Sequence, residues 1–224
     1  MFGQTNWLII LVTSNALQVL GQKDTSVTRI TLPVAIVSNM EVLNKDALYQ
    51  LITDWLKQRT YANTAITWLL GSELCFEHPL QNTDKDKLDS ETVQFLDTVP
   101  FEEVLSHTYN YGDTRTLTAV NKTLVSAYIQ AFSLHGYSAK VVVPAKLIQP
   151  SDVLTSNTAK LVYKKENDLE KNSLIAQEAA NQAASITTLS SGSTQQSTKS
   201  QLPLLLTIFT ILLAILGFVI YLNQ

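Results

Sequence analysis

Three histidines, a single cysteine and one adjacent pair of glutamates are the groups in this 224-residue sequence from which a reaction could be built. His78, His107 and His135 stand about thirty residues apart, with no HExxH pair and no second cysteine to complete a zinc site. His135 precedes Gly136 at the expected end of a helix, where a cationic ring suits the helix dipole better than a catalytic base. His78 precedes Pro79 and His107 falls in an expected strand, so both read as surface or edge positions. Cys75 adjoins Phe76 in an apolar stretch without a basic cluster to lower its pKa, and reads as a small core residue. Glu102 and Glu103 are adjacent, which points them to different sides of either regular structure. No GxGxxG, GxxxxGK(S/T) or GxSxG occurs. The expectation is a chain with no catalytic residue, no metal ligand and no cofactor site, and so not an enzyme.

The elements around these residues alternate in type. Trp7 to Val12 (WLIILV) is an apolar run rich in β-branched residues, Thr13-Ser14-Asn15 has turn chemistry, and Ala16 to Leu20 resumes before Gly21, which predicts strand, turn, strand. Val27 to Val37 is a third extended segment limited by Pro33. Asn44 can cap a helix whose stripe is Leu48, Leu51, Ile52, Trp55 and Leu56. Ala65 to Leu70 and Leu74 to Leu80 are candidate strands flanking Gly71-Ser72, and the charged Asp84 to Glu91 stretch reads as a solvated loop leading into a short helix. SHTYNY and RTLTAV form a hairpin around Gly112-Asp113. Asn121 caps a second helix through Leu124, Val125, Tyr128, Ile129 and Phe132, Gly136 stops it, and Lys140 to Ile148 is the closing strand. This is an α/β head over residues 5–149, a mixed sheet with helices, large enough to bury a core.

Composition changes after Pro150. Lys164 to Ala184 is rich in Ala, Glu, Asn and Lys and reads as an exposed or loosely associating helix, and Thr187 to Ser200 as a polar Ser/Thr/Gln linker, so that residues 150–201 form a stalk. Residues 202–222 carry no charge. At 1.5 Å per residue they cross the roughly 30 Å hydrocarbon layer as a single transmembrane helix. Pro203 stands at its start, Leu204, Ile208, Leu212 and Leu216 along it, and Tyr221 at the aqueous exit. The lipid bilayer is thus an expected partner. Thr210, Ala214 and Gly217 could share one face suited to close helix–helix contact and a homo-oligomer. Lys199 precedes the span and no basic residue follows it, which places the head in the cytosol. The 16 basic and 19 acidic residues give no basic footprint, so nucleic acid is not an expected partner.

The run of elements ending in AVNKTLVSAYIQAFSLHGYSAKVVVPAKLI, with FLDTVPFEEV and the hairpin before it, resembles the first half of the PilM-type actin-like proteins of type IV pilus assembly. The cytoplasmic domain of the type II secretion protein GspL is similar. The resemblance covers Trp7 to Ile148 and implies one half of an actin-like, RNase H-like fold. In actin-like ATPases the first hairpin carries an acidic residue for the metal and a glycine that lets amides approach phosphate. The matching stretch here, Ile10 to Gln18, has neither, and Gln18 stands where a phosphate-contacting lysine would be expected. Such a fold also binds nucleotide between two halves, and one half is present before the stalk. What the resemblance implies is a degenerate, non-hydrolysing relative: a membrane-anchored scaffold of a pilus or secretion-like machine at the cytoplasmic (inner) membrane, binding a partner peptide or subunit of that assembly. The resemblance does not determine where such a peptide docks; edges of the small sheet and the groove beside the Leu124 to Leu134 helix are candidates.

A second reading takes Phe2 to Leu20 as a cleaved signal peptide and the chain as a single-pass cell-surface protein with a β-rich ectodomain. The absence of Lys or Arg from Met1 to Trp7, and the polar Thr13, Ser14, Asn15 and Gln18, favour folded strands instead.

Overall fold

Every residue from Leu8 to Val12 is buried, and the position of this strand accounts for it. The computed structural model describes residues 7–59, 61, 64–81 and 84–176. Strand β1 (Trp7–Val12) turns into β2 (Ala16–Gly21) and then β3 (Thr28–Thr31); a two-residue hairpin, β4 (Val37–Ser38) and β5 (Glu41–Val42), leads into α1 (Lys45–Lys57). β6 (Ala65–Leu70), β7 (Phe76–Pro79), α2 (Lys85–Leu96), β8 (Val104–Tyr111), β9 (Thr114–Asn121), α3 (Lys122–Ser133), β10 (Ser138–Pro144), α4 (Ser156–Lys164) and α5 (Glu166–Lys171) follow. The main sheet runs β10-β6-β1-β2-β3, with β1, β6 and β10 parallel and β2 antiparallel to its neighbours. A strand in the middle of such a sheet is covered on both faces, so it reads as a continuous apolar run rather than an alternating one.

Side chains of β1 alternate between two cores. Leu8, Ile10 and Val12 face α1 and α3, where Leu48, Ile52, Leu124 and Tyr128 close over Trp68. Trp68 stacks on Tyr128 at 6.5 Å and meets the edge of Phe132 at 5.3 Å. Ile9 and Leu11 face the other way, onto Leu154, Ala159, Val162 and Leu169. Because β1 is central and β2 lies beside it, the strand reading of Trp7 to Leu20 holds, and cleavage near Gly21 would remove the middle of the sheet.

Several local expectations hold for local reasons. The Asn44 side chain accepts from Ala47 N at 3.0 Å and that of Asn121 from Leu124 N at 3.2 Å, each satisfying an otherwise orphaned helix donor. Gly136 takes a positive φ of 82° after α3, a left-handed turn that side chains resist. The hairpin joins β8 to β9 with Tyr111 opposite Thr114, inside a three-stranded sheet ordered β7-β9-β8.

Other expectations are corrected. The third extended segment is only four residues long, since Pro33 starts a turn that accepts from Ile36 N and Val37 N. Leu74 belongs to a short 3-10 turn, so the next strand begins at Phe76. The charged stretch expected as a loop is largely α2, capped by Asp84, which accepts from Asp86 N and Lys87 N; it carries no buried residue, and its Val93 is 58% exposed.

The expected end of packing at 149 is also corrected. α4 and α5 lie against the second face of the sheet, with Leu169 4% exposed, and Leu174, 1% exposed, joins the first core. Polar composition concealed them because each contributes only a few apolar side chains. Between them and the sheet, Ser173 Oγ accepts from Val142 N at 2.9 Å, giving the open edge of β10 a side-chain partner. Among the described residues no helix is long and apolar enough to cross a membrane. The expected span, with Pro203, Leu204, Ile208, Leu212, Leu216 and Tyr221, and the Thr210, Ala214 and Gly217 face lie outside the described residues.

Candidate functional site

Ligands of open α/β sheets gather beyond the carboxyl ends of parallel strands. Here Val12, Leu70 and Pro144 end three such strands side by side. Beyond them lie the Thr13-Ser14-Asn15 turn, the Gly71-Ser72 turn and residues 149–155. Gly71 N donates to Val12 O at 2.8 Å, and a Cβ at Gly71 would sit 3.0 Å from that oxygen, so glycine lets the two turns close. Turns of this kind present backbone amides that can cradle an anion.

In this chain the amides are engaged from within. Ser14 N donates to the Glu73 carboxylate. Ser72 N lies 3.1 and 3.0 Å from the two oxygens of Asp152, which also accepts from the Ser72 hydroxyl. Gln18 completes the closure: its Nε2 donates to Asp152 O at 3.0 Å and its Oε1 accepts from Leu154 N at 2.9 Å. Two carboxylates therefore stand at the turns, and they would repel a phosphate.

Beside them is a cavity of about 330 Å³ lined by Cys75, Glu77, Lys146, Gln149 and Asp152. Lys146 Nζ lies 2.6 Å from Glu77 Oε2 and 4.4 Å from the centre of the Tyr111 ring, so its charge is already matched. Burial, reinforced by Glu77 and Asp152, pushes the Cys75 thiol up to about 12. A thiol held protonated at neutral pH is a poor nucleophile. Ser72 Oγ is bonded to a carboxylate rather than activated by an imidazole.

The three histidines stay apart in role. His135 Nε2 lies 2.9 Å from Thr53 Oγ1, whose own proton goes to Tyr49 O at 2.7 Å, so the ring donates and ties the end of α3 to α1. His78 pairs with Glu91 at 3.0 Å and stacks on Phe95, which holds α2 against β7. His107 lies against Tyr109 with Nε2 3.4 Å from Asn172. Glu103 reaches Lys122 at 3.2 Å. Among the described residues no three His, Cys, Asp or Glu side chains gather as a metal site. Sequence reasoning missed Ser72, Glu73, Lys146 and Asp152; the one local sign was the turn chemistry of Gly71-Ser72.

No protein family matches the sequence, and no curated protein matches it. Among solved structures the chain is similar to the cytoplasmic domain of EpsL, an inner membrane component of the type II secretion system of Vibrio cholerae. The identity is 13% over 66% of this chain and 58% of that one, with a TM-score of 0.42. It is similar to the PilM-PilN type IV pilus biogenesis complex at 17% identity over 62% of this chain and 47% of that one, TM-score 0.44. A Bacteroides thetaiotaomicron protein with an actin-like ATPase fold is similar at 7% identity over 63% and 52%, TM-score 0.38. The chain spans about half the length of these structures. They include the two kinds of protein that the order of elements resembles.

Proposed function

We propose that the protein is a non-catalytic scaffold of a type IV pilus or secretion-like assembly machine, with its head in the cytosol, anchored in the inner membrane by residues 202–222 and binding a peptide or subunit of that machine. The observation that carries the reading is the closed carboxyl end of the sheet. The Ser14 and Ser72 amides are held by Glu73 and Asp152, and Gln18 clasps residues 152–154 across the hairpin where a phosphate would otherwise approach. A domain that keeps an actin-like half while filling that end with its own carboxylates retains surfaces for partners rather than a site for nucleotide. The apolar, uncharged tail supports the anchor, and the absence of a basic footprint argues against nucleic acid as a partner.

The test uses the full chain with an N-terminal tag, expressed in its own cell. Protease should remove the tag in inverted vesicles but not in right-side-out ones, and crosslinking followed by mass spectrometry should recover pilus or secretion subunits. The purified protein should bind no fluorescent ATP analogue. A tag exposed on the outer side, or nucleotide bound at micromolar affinity, would overturn the reading.

A further inference from the structure

A second cavity, of about 560 Å³, opens at the opposite end of the sheet, between α4 and the start of β1 with the end of β2. This volume lies within the range of ordinary ligand sites. Its walls include Trp7, and Leu20 and Ala159 are buried within it. Along the rim α4 presents Lys160, Tyr163 and Lys164, all exposed, with Tyr163 at 60%. Among the described residues neither Lys160 nor Lys164 has a carboxylate partner. The one carboxylate in the lining, Asp24, accepts through Oδ2 from Gly21 N at 2.6 Å and from Tyr61 Oη at 2.7 Å, so two donors already share its charge.

We propose that this groove docks a short acidic peptide segment of a partner protein, with an aromatic or aliphatic anchor between its carboxylates. The proposal rests on the scaffold reading and adds a place and a chemistry to it. Lys160 and Lys164 are one helical turn apart, with Cβ atoms about 6 Å from each other. Acidic residues two apart on an extended peptide have a similar spacing, roughly 6.6 Å, and face the same way. The side chain between them points to the opposite side and can enter the groove over Leu20 and Ala159. A flat bilayer surface would meet the exposed lysines and Tyr163 without reaching those buried residues. The groove lies at the other end of the strands from the closed turns, so occupying it disturbs neither Gln18 nor Asp152.

The experiment uses the full-length protein in phosphatidylcholine nanodiscs and two blocked peptides, Glu-Phe-Glu-Leu-Glu and Lys-Phe-Lys-Leu-Lys. Binding is read as the tryptophan fluorescence change that disappears in Trp7→Phe. The acidic peptide should bind about tenfold more tightly than the basic one, and the double variant Lys160→Glu/Lys164→Glu should lose at least about tenfold and invert the preference, with its melting curve unchanged. Equal binding of the two peptides, or indifference to the charge reversal, overturns the proposal. So does a response only to phosphatidylglycerol vesicles, which would make the face a membrane contact, or binding that appears only after deletion of residues 2–6, which would make the chain's own N-terminus the occupant. If wild type and charge-reversed proteins crosslink to the same pilus or secretion subunits, the groove is wrong and the scaffold stands; if neither crosslinks to any, the scaffold reading itself falls.

Discussion

Cys75 illustrates how the surroundings decide what a residue can do. Its thiol is raised to about 12 by burial, with Glu77 and Asp152 adding to the effect, whereas the unfolded chain returns it to an ordinary value near 9. Between those values the unfolded state releases a proton that the folded state keeps. The stabilisation is complete below about pH 9 and is lost as pH rises towards 12. At pH 8 Cys75 should therefore react with Ellman's reagent much more slowly in the folded protein than in urea; equally fast labelling of the folded protein would show an accessible thiolate. The sequence reading rests on the lack of a local basic cluster around Cys75; the structure brings Lys146 beside it, and burial with Glu77 and Asp152 outweighs that charge. The sequence did not mark Asp152, whose partner Ser72 lies 80 residues away and is brought near only by the order of strands.

Element by element, helix ends were the most legible features because their chemistry is local. Asn121 is both a cap and a tie: its Oδ1 accepts from Leu124 N and its Nδ2 donates to Met40 O at 3.0 Å. Asn121→Ala should cost about 2–3 kcal/mol, roughly one for the cap and the remainder for the abandoned Met40 carbonyl. Asn121→Asp keeps the cap and loses only the second bond, so urea unfolding should place it between wild type and Asn121→Ala; equal losses for the two variants would assign the whole effect to Met40. α4 and α5 were the least legible elements. α5 has six residues and one buried side chain, Leu169, too short a pattern for periodicity to register, and its stability comes from the sheet it covers.

For the whole molecule the decisive feature is that the sheet has two faces and the second is covered by residues beyond 150. A chain ending at 149 would expose Ile9, Leu11, Leu69, Val141 and Val143 together. It should aggregate or unfold without cooperativity, while one ending at 176 should show a single cooperative transition in urea monitored by circular dichroism; a soluble, cooperative 1–149 fragment would refute this account of the second core. The sequence by itself determined the mixed α/β class, the hairpins and the two amphipathic helices with their Asn caps, because each depends on residues near one another in the chain. Tertiary structure alone decided where packing ends, which carboxylates fill the two turns, and that α4 carries two lysines beside an apolar groove with no carboxylate partner among the described residues. Those facts join residues as far apart as Ser14 and Glu73, Ser72 and Asp152, or Leu20 and Ala159. No local pattern encodes such pairs; the parallel register of β1, β6 and β10 creates them.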